Sequence, residues 1–218
     1  MHDRYKTVNL QKHFQEVYKK VDPWHLGSSQ FEFRKYKRQI DFIQSRIQPK
    51  TILELGCSEG AHTFLLKESF PESHIEAFDI SPIAISRAQE RLKKYENVNI
   101  SIGDIANYLK NPIEFEYDLI VWSESIFYVA EVLSINAMHV MIDGVLSRLK
   151  EHGVFCMANT IQCAGDKILF PSKRNLFSSI FFILSHYFQN IAKASYIDFK
   201  IEDDCAYEYE VWVFTKGY

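Results

Sequence analysis

Apolar residues follow two rhythms along this chain, and the change comes near Pro49. In residues 1–20, Val8, Leu10, Phe14, Val17 and Tyr18 recur at helical spacing in a polar, basic background, which predicts one amphipathic helix. Asp22-Pro23-Trp24 interrupts it, because proline disfavours helical geometry in the residue before it. After the loop Leu26-Gly27-Ser28-Ser29, Ser29 is placed to cap a second helix over Gln30–Arg46. That helix would carry Phe33, Tyr36, Ile40, Ile43 and Ile47 on one face. Arg34, Lys35, Lys37 and Arg38 are expected on its solvated side.

Beyond Pro49, short apolar runs alternate with helical stretches. Ile52–Leu55, His74–Asp79, Val98–Ile102, Tyr117–Trp122 and Val154–Ala158 read as strands. His62–Ser69, a segment opened by Ser81-Pro82 and a long stretch from Val132 to Leu149 read as helices. This alternation implies a doubly wound, mostly parallel α/β sheet. Phe177–Phe188 is strongly apolar but too short to span a bilayer, so a buried or interfacial helix is expected. Ser195–Ile201 and Tyr207–Thr215 are expected as closing strands, making the sheet seven-stranded. The division expected is a helical segment over residues 1–48, able to act as a lid, and a ligand-binding domain over 49–218.

Composition narrows the class. With 218 residues, 47% hydrophobic and 24% charged, the chain has the balance of a soluble globular protein with a sizeable core. A net charge of −3 gives no reason to expect nucleic acid as a partner. Cys57, Cys156, Cys163 and Cys205 form no C-x-x-C pair and no signal peptide is apparent. Reduced thiols and a cytoplasmic location are therefore expected, and no metal site. The histidines are dispersed; among them, His186 in the aromatic tail is a candidate base.

The chemistry centres on TILELGCSEGA, Thr51–Ala61. A buried strand runs into Glu54 and stops at a loop with two glycines. This is the arrangement that opens a nucleotide-type site at the carboxyl end of a sheet. Gly56 allows a sharp turn, and Gly60 a close approach of the backbone. Read as a dinucleotide fingerprint, the stretch offers Gly56, Ser58 and Ala61, so a side chain stands where a pyrophosphate needs glycine. Glu54 also suits a ligand bearing an ammonium and a sulfonium better than one bearing a pyrophosphate.

The spacing Glu54-x-Gly56-x-Ser58-x-Gly60 resembles the first motif of class I S-adenosylmethionine-dependent methyltransferases, with a Rossmann-like fold. Asp79 resembles the family acid that holds both ribose hydroxyls, and Asp104 in GDI the acid that meets the adenine amino group. Asp118 in YDLIVW resembles the structural acid that opens the fourth strand. The stretches DPWHLGSSQFEFRKY, ILELGCSEGAHTFLL, FDISPIAISRA and SESIFYV are similar to those of the nodulation S protein family, over residues ~20–160.

The resemblance implies S-adenosyl-L-methionine as cofactor, bound by Glu54, Gly56, Cys57, Ser58, Gly60, Asp79, Ile80, Gly103, Asp104, Ile105 and Ser123. From the lid, Trp24 is expected to cover the adenosyl group and Arg34 to pair with the cofactor's methionine carboxylate. The resemblance also implies a methyl acceptor that is an amine or hydroxyl of a small molecule or saccharide, with N-methylation preferred. Glu124 is the candidate for gripping the acceptor, with Tyr128 one helical turn on. A helix first-turn acid and a packing aromatic are the alternatives for these two. A nicotinamide-dependent oxidoreductase and a non-catalytic binding protein of the same fold remain the other function classes.

Overall fold

The computed structural model describes residues 2–112, 115–132, 134–164 and 171–216. The elements run α1 His2–Val17, α2 Gln30–Gln44, β1 Thr51–Leu55, α3 Ala61–Ser69, β2 His74–Asp79, α4 Pro82–Leu92, β3 Val98–Ile102 and α5 Ile105–Lys110. There follow β4 Tyr117–Val121, α6 Ser125–Val132, α7 Ile135–Ser147, β5 Leu149–Ala164, α8 Pro171–Tyr187, β6 Phe188–Lys200 and β7 Cys205–Lys216.

The strands form one sheet in the order β3-β2-β1-β4-β5-β7-β6. Strands β1 to β5 pair in parallel, and β7 enters antiparallel between β5 and β6. The mostly parallel seven-stranded sheet is thus as expected. Strand order reverses between β1 and β4, so a crevice opens at the carboxyl ends of those strands.

Side chains alternate across the sheet. Ile52, Ile75, Leu119 and Val121 pack with Phe31, Ile40 and Ile43 of α2 and Leu66 of α3 on one face. Leu53, Leu55, Ile120 and Trp122 face the other, against α5, α6, α7 and α8. Ser29, Ser81 and Ser134 cap α2, α4 and α7, each side chain accepting a backbone N–H of the first turn.

Several elements differ from expectation. The long helix near Val132 is two helices, α6 and α7, separated by a break that Ser134 restarts. Asp104 caps a short helix, α5, that the apolar pattern was too brief to reveal. Strands β5, β6 and β7 are longer than their apolar runs because antiparallel pairing continues through polar residues. The buried face of α2 is also rotated from the expected one. Phe33 is 47% exposed, while Glu32, Lys35 and Gln39 are buried. Of the thiols, Cys57 and Cys156 are free and buried, whereas Cys205 is in a disulfide, contrary to the reduced state expected of it. Among the described residues, no helix is long and apolar enough to cross a membrane.

Candidate active site

A cavity of about 300 Å³ lies at the carboxyl ends of β1, β2, β3 and β4, where the strand order reverses. Its floor is the loop after β1. Gly56 takes φ 79°, and a Cβ there would collide with Ser125 Oγ. Ser58 takes φ 53°, the left-handed conformation that glycine adopts without strain. A serine holds this position because it is tied on both sides. Its N–H donates to Asp79 Oδ2 at 3.0 Å, and its hydroxyl accepts from Tyr18 at 2.6 Å.

Asp79 ends β2 and is 9% exposed. Burial pushes its carboxyl above the ordinary range, while the N–H groups of Ser81, Ser58 and Ile80 pull it back. Each carboxylate oxygen has two acceptor sites, so lone pairs remain for a diol in the cavity. Asp104 at the end of β3 uses Oδ1 to accept the Ala106 and Asn107 N–H groups, which fixes the carboxyl at the cavity wall. Ile80, Ile105 and Cys57 line the same end. Burial holds the Cys57 thiol well above its usual value, so it packs as a neutral group.

Glu54 also lines the cavity, but its two oxygens are taken by α3. Oε1 meets His62 Nδ1 at 2.9 Å, and Oε2 accepts from Thr63 Oγ1 at 2.6 Å. The opposite wall holds Ser123 and Glu124, just beyond β4. Ser123 Oγ accepts from Gln39 Nε2 and the Ala158 N–H. Glu124 sits at φ 51°, and its Oε1 accepts from Lys35 Nζ at 2.9 Å and from the Thr160 N–H and hydroxyl at 3.0 and 2.8 Å. Lys35 is 3% exposed and also contacts Glu32 Oε2 at 2.8 Å. Burial works against its charge, but Glu124 and Glu32 together hold its pKa well above the ordinary lysine value. Tyr128 lines the cavity beside Glu124, and Phe14 meets its ring edge-on.

The N-terminal segment roofs the cavity. Leu10, Phe14, Tyr18, Trp24 and Leu26 all line it, and Trp24 packs edge-to-face against Phe14 and Tyr18. The roof is latched outside the aromatic cluster. Glu59 accepts the Asp22 N–H and pairs with Arg87, which also donates to the Lys20 carbonyl. Lys200 donates to the Trp24 carbonyl and to Glu32.

The residues expected at the site are thus brought together with four exceptions. Arg34 does not line the cavity; it makes a two-pronged pair with Asp198 of β6, which Arg38 also contacts. Gly60 faces α4, where a Cβ would stand 3.0 Å from Ala88 Cβ, so it allows helix packing rather than ligand contact. Gly103 packs against Phe78, whose ring would lie 2.8 Å from a Cβ. His186 is exposed on α8, away from the cavity, and so is no base. Sequence reasoning missed Lys35, Tyr36, His62, Thr160, Lys200 and Tyr207. For Lys35 a signal existed: positions 32, 35, 36, 39, 40 and 43 share one helical stripe. Read strictly, that stripe buries the lysine with an acid one turn before it.

A doubly wound sheet with this glycine loop, acids at two strand ends and a roofed cavity defines the class I methyltransferase fold. The family model of nodulation protein S (NodS) matches residues 9–165, and the chain belongs to that family. Nodulation protein S of Sinorhizobium fredii is 28% identical over 122 residues, covering 56% of this chain and 54% of the relative. A malonyl-[acyl-carrier protein] O-methyltransferase of Ilyobacter polytropus is 31% identical over 103 residues, covering 47% of this chain and 37% of the relative. The matched stretch therefore spans about half, or less, of these relatives' length. The crystal structure of the N-methyltransferase NodS from Bradyrhizobium japonicum in complex with S-adenosyl-L-homocysteine has TM-score 0.75 at 20% identity. It covers 96% of this chain and 100% of its own.

Proposed function

We propose that this chain transfers a methyl group from S-adenosyl-L-methionine to an amine or hydroxyl of a small molecule or saccharide, with an amine preferred. The observation that carries it is the convergence of the Gly56–Ser58 loop, Asp79 and Asp104 on one cavity whose far wall is Glu124. The residues fit the cofactor. Asp79, buried and held by backbone N–H groups, has the lone pairs for a ribose diol, and Asp104 stands where an adenine amino group can donate. The cofactor supplies an activated methyl group on a charged sulfur. What remains for the protein is to position the acceptor and exclude water.

The roof serves that exclusion, and on this reading residues 1–48 form a lid over a domain of 49–218. Trp24 and Tyr128 bound the space above the loop, and Glu124, held from three sides, is set to grip the acceptor. The relatives named above include an N-methyltransferase and a malonyl-[acyl-carrier protein] O-methyltransferase, so the family likeness leaves transfer to nitrogen and transfer to oxygen both open. The acidic Glu124 favours an amine. Nucleic acid is not expected as a partner, and the cytoplasm is the expected location.

A nicotinamide-dependent oxidoreductase fits less well. The Ser58 hydroxyl, already bonded to Tyr18, occupies the point where a pyrophosphate must approach the backbone.

A homocysteine-release assay across aminosugars, simple amines and hydroxyl-bearing sugars tests the acceptor. Turnover with amines is expected, and Glu124→Gln should cut it strongly while S-adenosylhomocysteine affinity stays within about threefold. Equal loss of both would place Glu124 in the cofactor wall. Activity on protein or nucleic acid alone would overturn the small-molecule reading.

A further inference from the structure

His62 is a buried ionisable side chain of the cavity with no task in the account so far. It stands in the first turn of α3, 4% exposed, with its ring stacked on Tyr36 at 4.6 Å between centroids. Nδ1 faces Glu54 Oε1 at 2.9 Å, and Thr63 fixes the other Glu54 oxygen. The ring lines the cavity, yet Nε2 is buried without a hydrogen-bond partner among the described residues. A polar atom left in that state costs free energy unless a ligand group completes it.

The tautomer follows from the partner. An ionised Glu54 can only accept, so Nδ1 carries the hydrogen and the neutral ring offers the Nε2 lone pair. An imidazole oriented by a carboxylate, with its far nitrogen open to a pocket, is the arrangement of a positioned general base. We propose that His62 takes the proton of the methyl acceptor, with Glu54 holding its ring and tautomer. The proposal rests on the transferase reading. As the acceptor nitrogen or oxygen forms its bond to the methyl carbon, the carbon–sulfur bond breaks with its electron pair passing to sulfur. The acceptor's proton passes to Nε2, leaving an imidazolium against the Glu54 carboxylate. An acceptor that arrives as an ammonium loses one proton to the same nitrogen before attack.

The titratable groups about the ring are Glu54 from β1 and Tyr36 from α2. Lys35 lies 5.7 Å from the Tyr36 centroid, and Asp79 from β2 and Cys57 from the loop are within electrostatic reach of Glu54. Desolvation keeps Tyr36 protonated and neutral, its pKa raised far out of the physiological range. Glu54 is the group bonded directly to the ring, through Nδ1.

With an acceptor from the screen above, His62→Gln should lower kcat about 100- to 10,000-fold and remove the low-pH limb of its pH profile. The KM for S-adenosylmethionine should hardly change. A limb that survives in this variant overturns the proposal. A second test needs no acceptor: long-range proton–nitrogen NMR on the full chain, free, with S-adenosylhomocysteine and with adenosine. The expected result near neutral pH is a protonated Nδ1 and a bare Nε2 in all three states. Glu54→Gln should mix the tautomers; if that variant fails to fold, the wild-type spectra alone decide. A protonated Nε2 that appears with S-adenosylhomocysteine but not with adenosine would make His62 a ligand of the cofactor carboxylate and overturn its role as base. S-adenosylhomocysteine should shift the ring resonances without changing the tautomer; resonances that do not shift at all remove the transferase reading instead, and this proposal with it.

Discussion

Lys35 on α2 and Glu124 beyond β4 lie 2.9 Å apart, Nζ to Oε1, and join the N-terminal segment to the carboxyl end of the sheet. The lysine is buried and shared with Glu32. Removing one member of such a pair leaves uncompensated charge, which costs more than the pair contributes. Lys35→Met should therefore destabilise the fold by about 2–4 kcal/mol, below the usual buried-pair loss because Glu124 is a third exposed. Urea unfolding measures it. A change under about 0.5 kcal/mol would mean the pair is solvated in solution.

Asp79 links the loop to the ligand. Asp79→Ala loses two charge-assisted hydrogen bonds to a ribose, about 2–4 kcal/mol, hence a roughly 30- to 1000-fold weaker cofactor. Its pKa is raised in the folded state, so above the ordinary aspartate value of 3.8 the native protein binds more protons than the unfolded chain. Two signs follow. This residue's contribution to stability falls as pH rises from 3.8 through the raised value. Cofactor affinity instead falls on acidification, starting above the ordinary carboxylate range. Calorimetry across pH reads the second sign directly, and an affinity that holds level down to pH 3.8 would contradict it.

Arg34 was expected at the cofactor carboxylate and is found on Asp198. Arg34→Ala should accordingly leave S-adenosylhomocysteine affinity within about threefold and cost about 1 kcal/mol of stability, since the guanidinium is 42% exposed. The Arg34 hydrogen bond is the largest influence holding the Asp198 carboxyl below its ordinary value. That stabilisation is complete above 3.8 and is lost as pH falls through the lowered value. The stability gap between wild type and Asp198→Asn should close in that acid window. Tenfold weaker cofactor binding by Arg34→Ala would restore the original assignment.

The parallel core was legible because its strands are apolar runs ending at acids or glycines, and Glu54, Gly56, Asp79 and Asp104 could be placed from that alone. Lys35 and Lys200 were not legible, because each is buried by partners far along the chain: Glu124, and Glu32 with Trp24. His62 lies only eight residues past its partner Glu54, but nothing in the pattern shows that the two side chains meet. A charged residue in a basic cluster reads as solvated unless those partners are known. Arg34 and Lys35 are adjacent in sequence, so a rotation of one position about the helix exchanged their roles. The antiparallel tail was legible only in its apolar stretches, since cross-strand pairing holds the remaining residues in strand.

On the lid reading, hydrogen exchange across residues 10–28 should be fast in the free protein and slow once S-adenosylhomocysteine is added, while α2, packed on the sheet through Phe31, Ile40 and Ile43, stays protected throughout. The Tyr18–Ser58 bond, with the Tyr18 phenol kept neutral by burial, should be the point where protection first appears. Strong protection without ligand would make this segment fixed architecture.

The central claim is that the Gly56 loop, Asp79 and Asp104 hold an adenosyl sulfonium cofactor. Isothermal titration of the purified chain with S-adenosylhomocysteine and with NAD, side by side, tests it most directly. The account predicts one S-adenosylhomocysteine site with a Kd on the order of 1–100 μM, lost in Asp79→Ala, and no heat with NAD. Saturable NAD binding with a silent S-adenosylhomocysteine titration would contradict it.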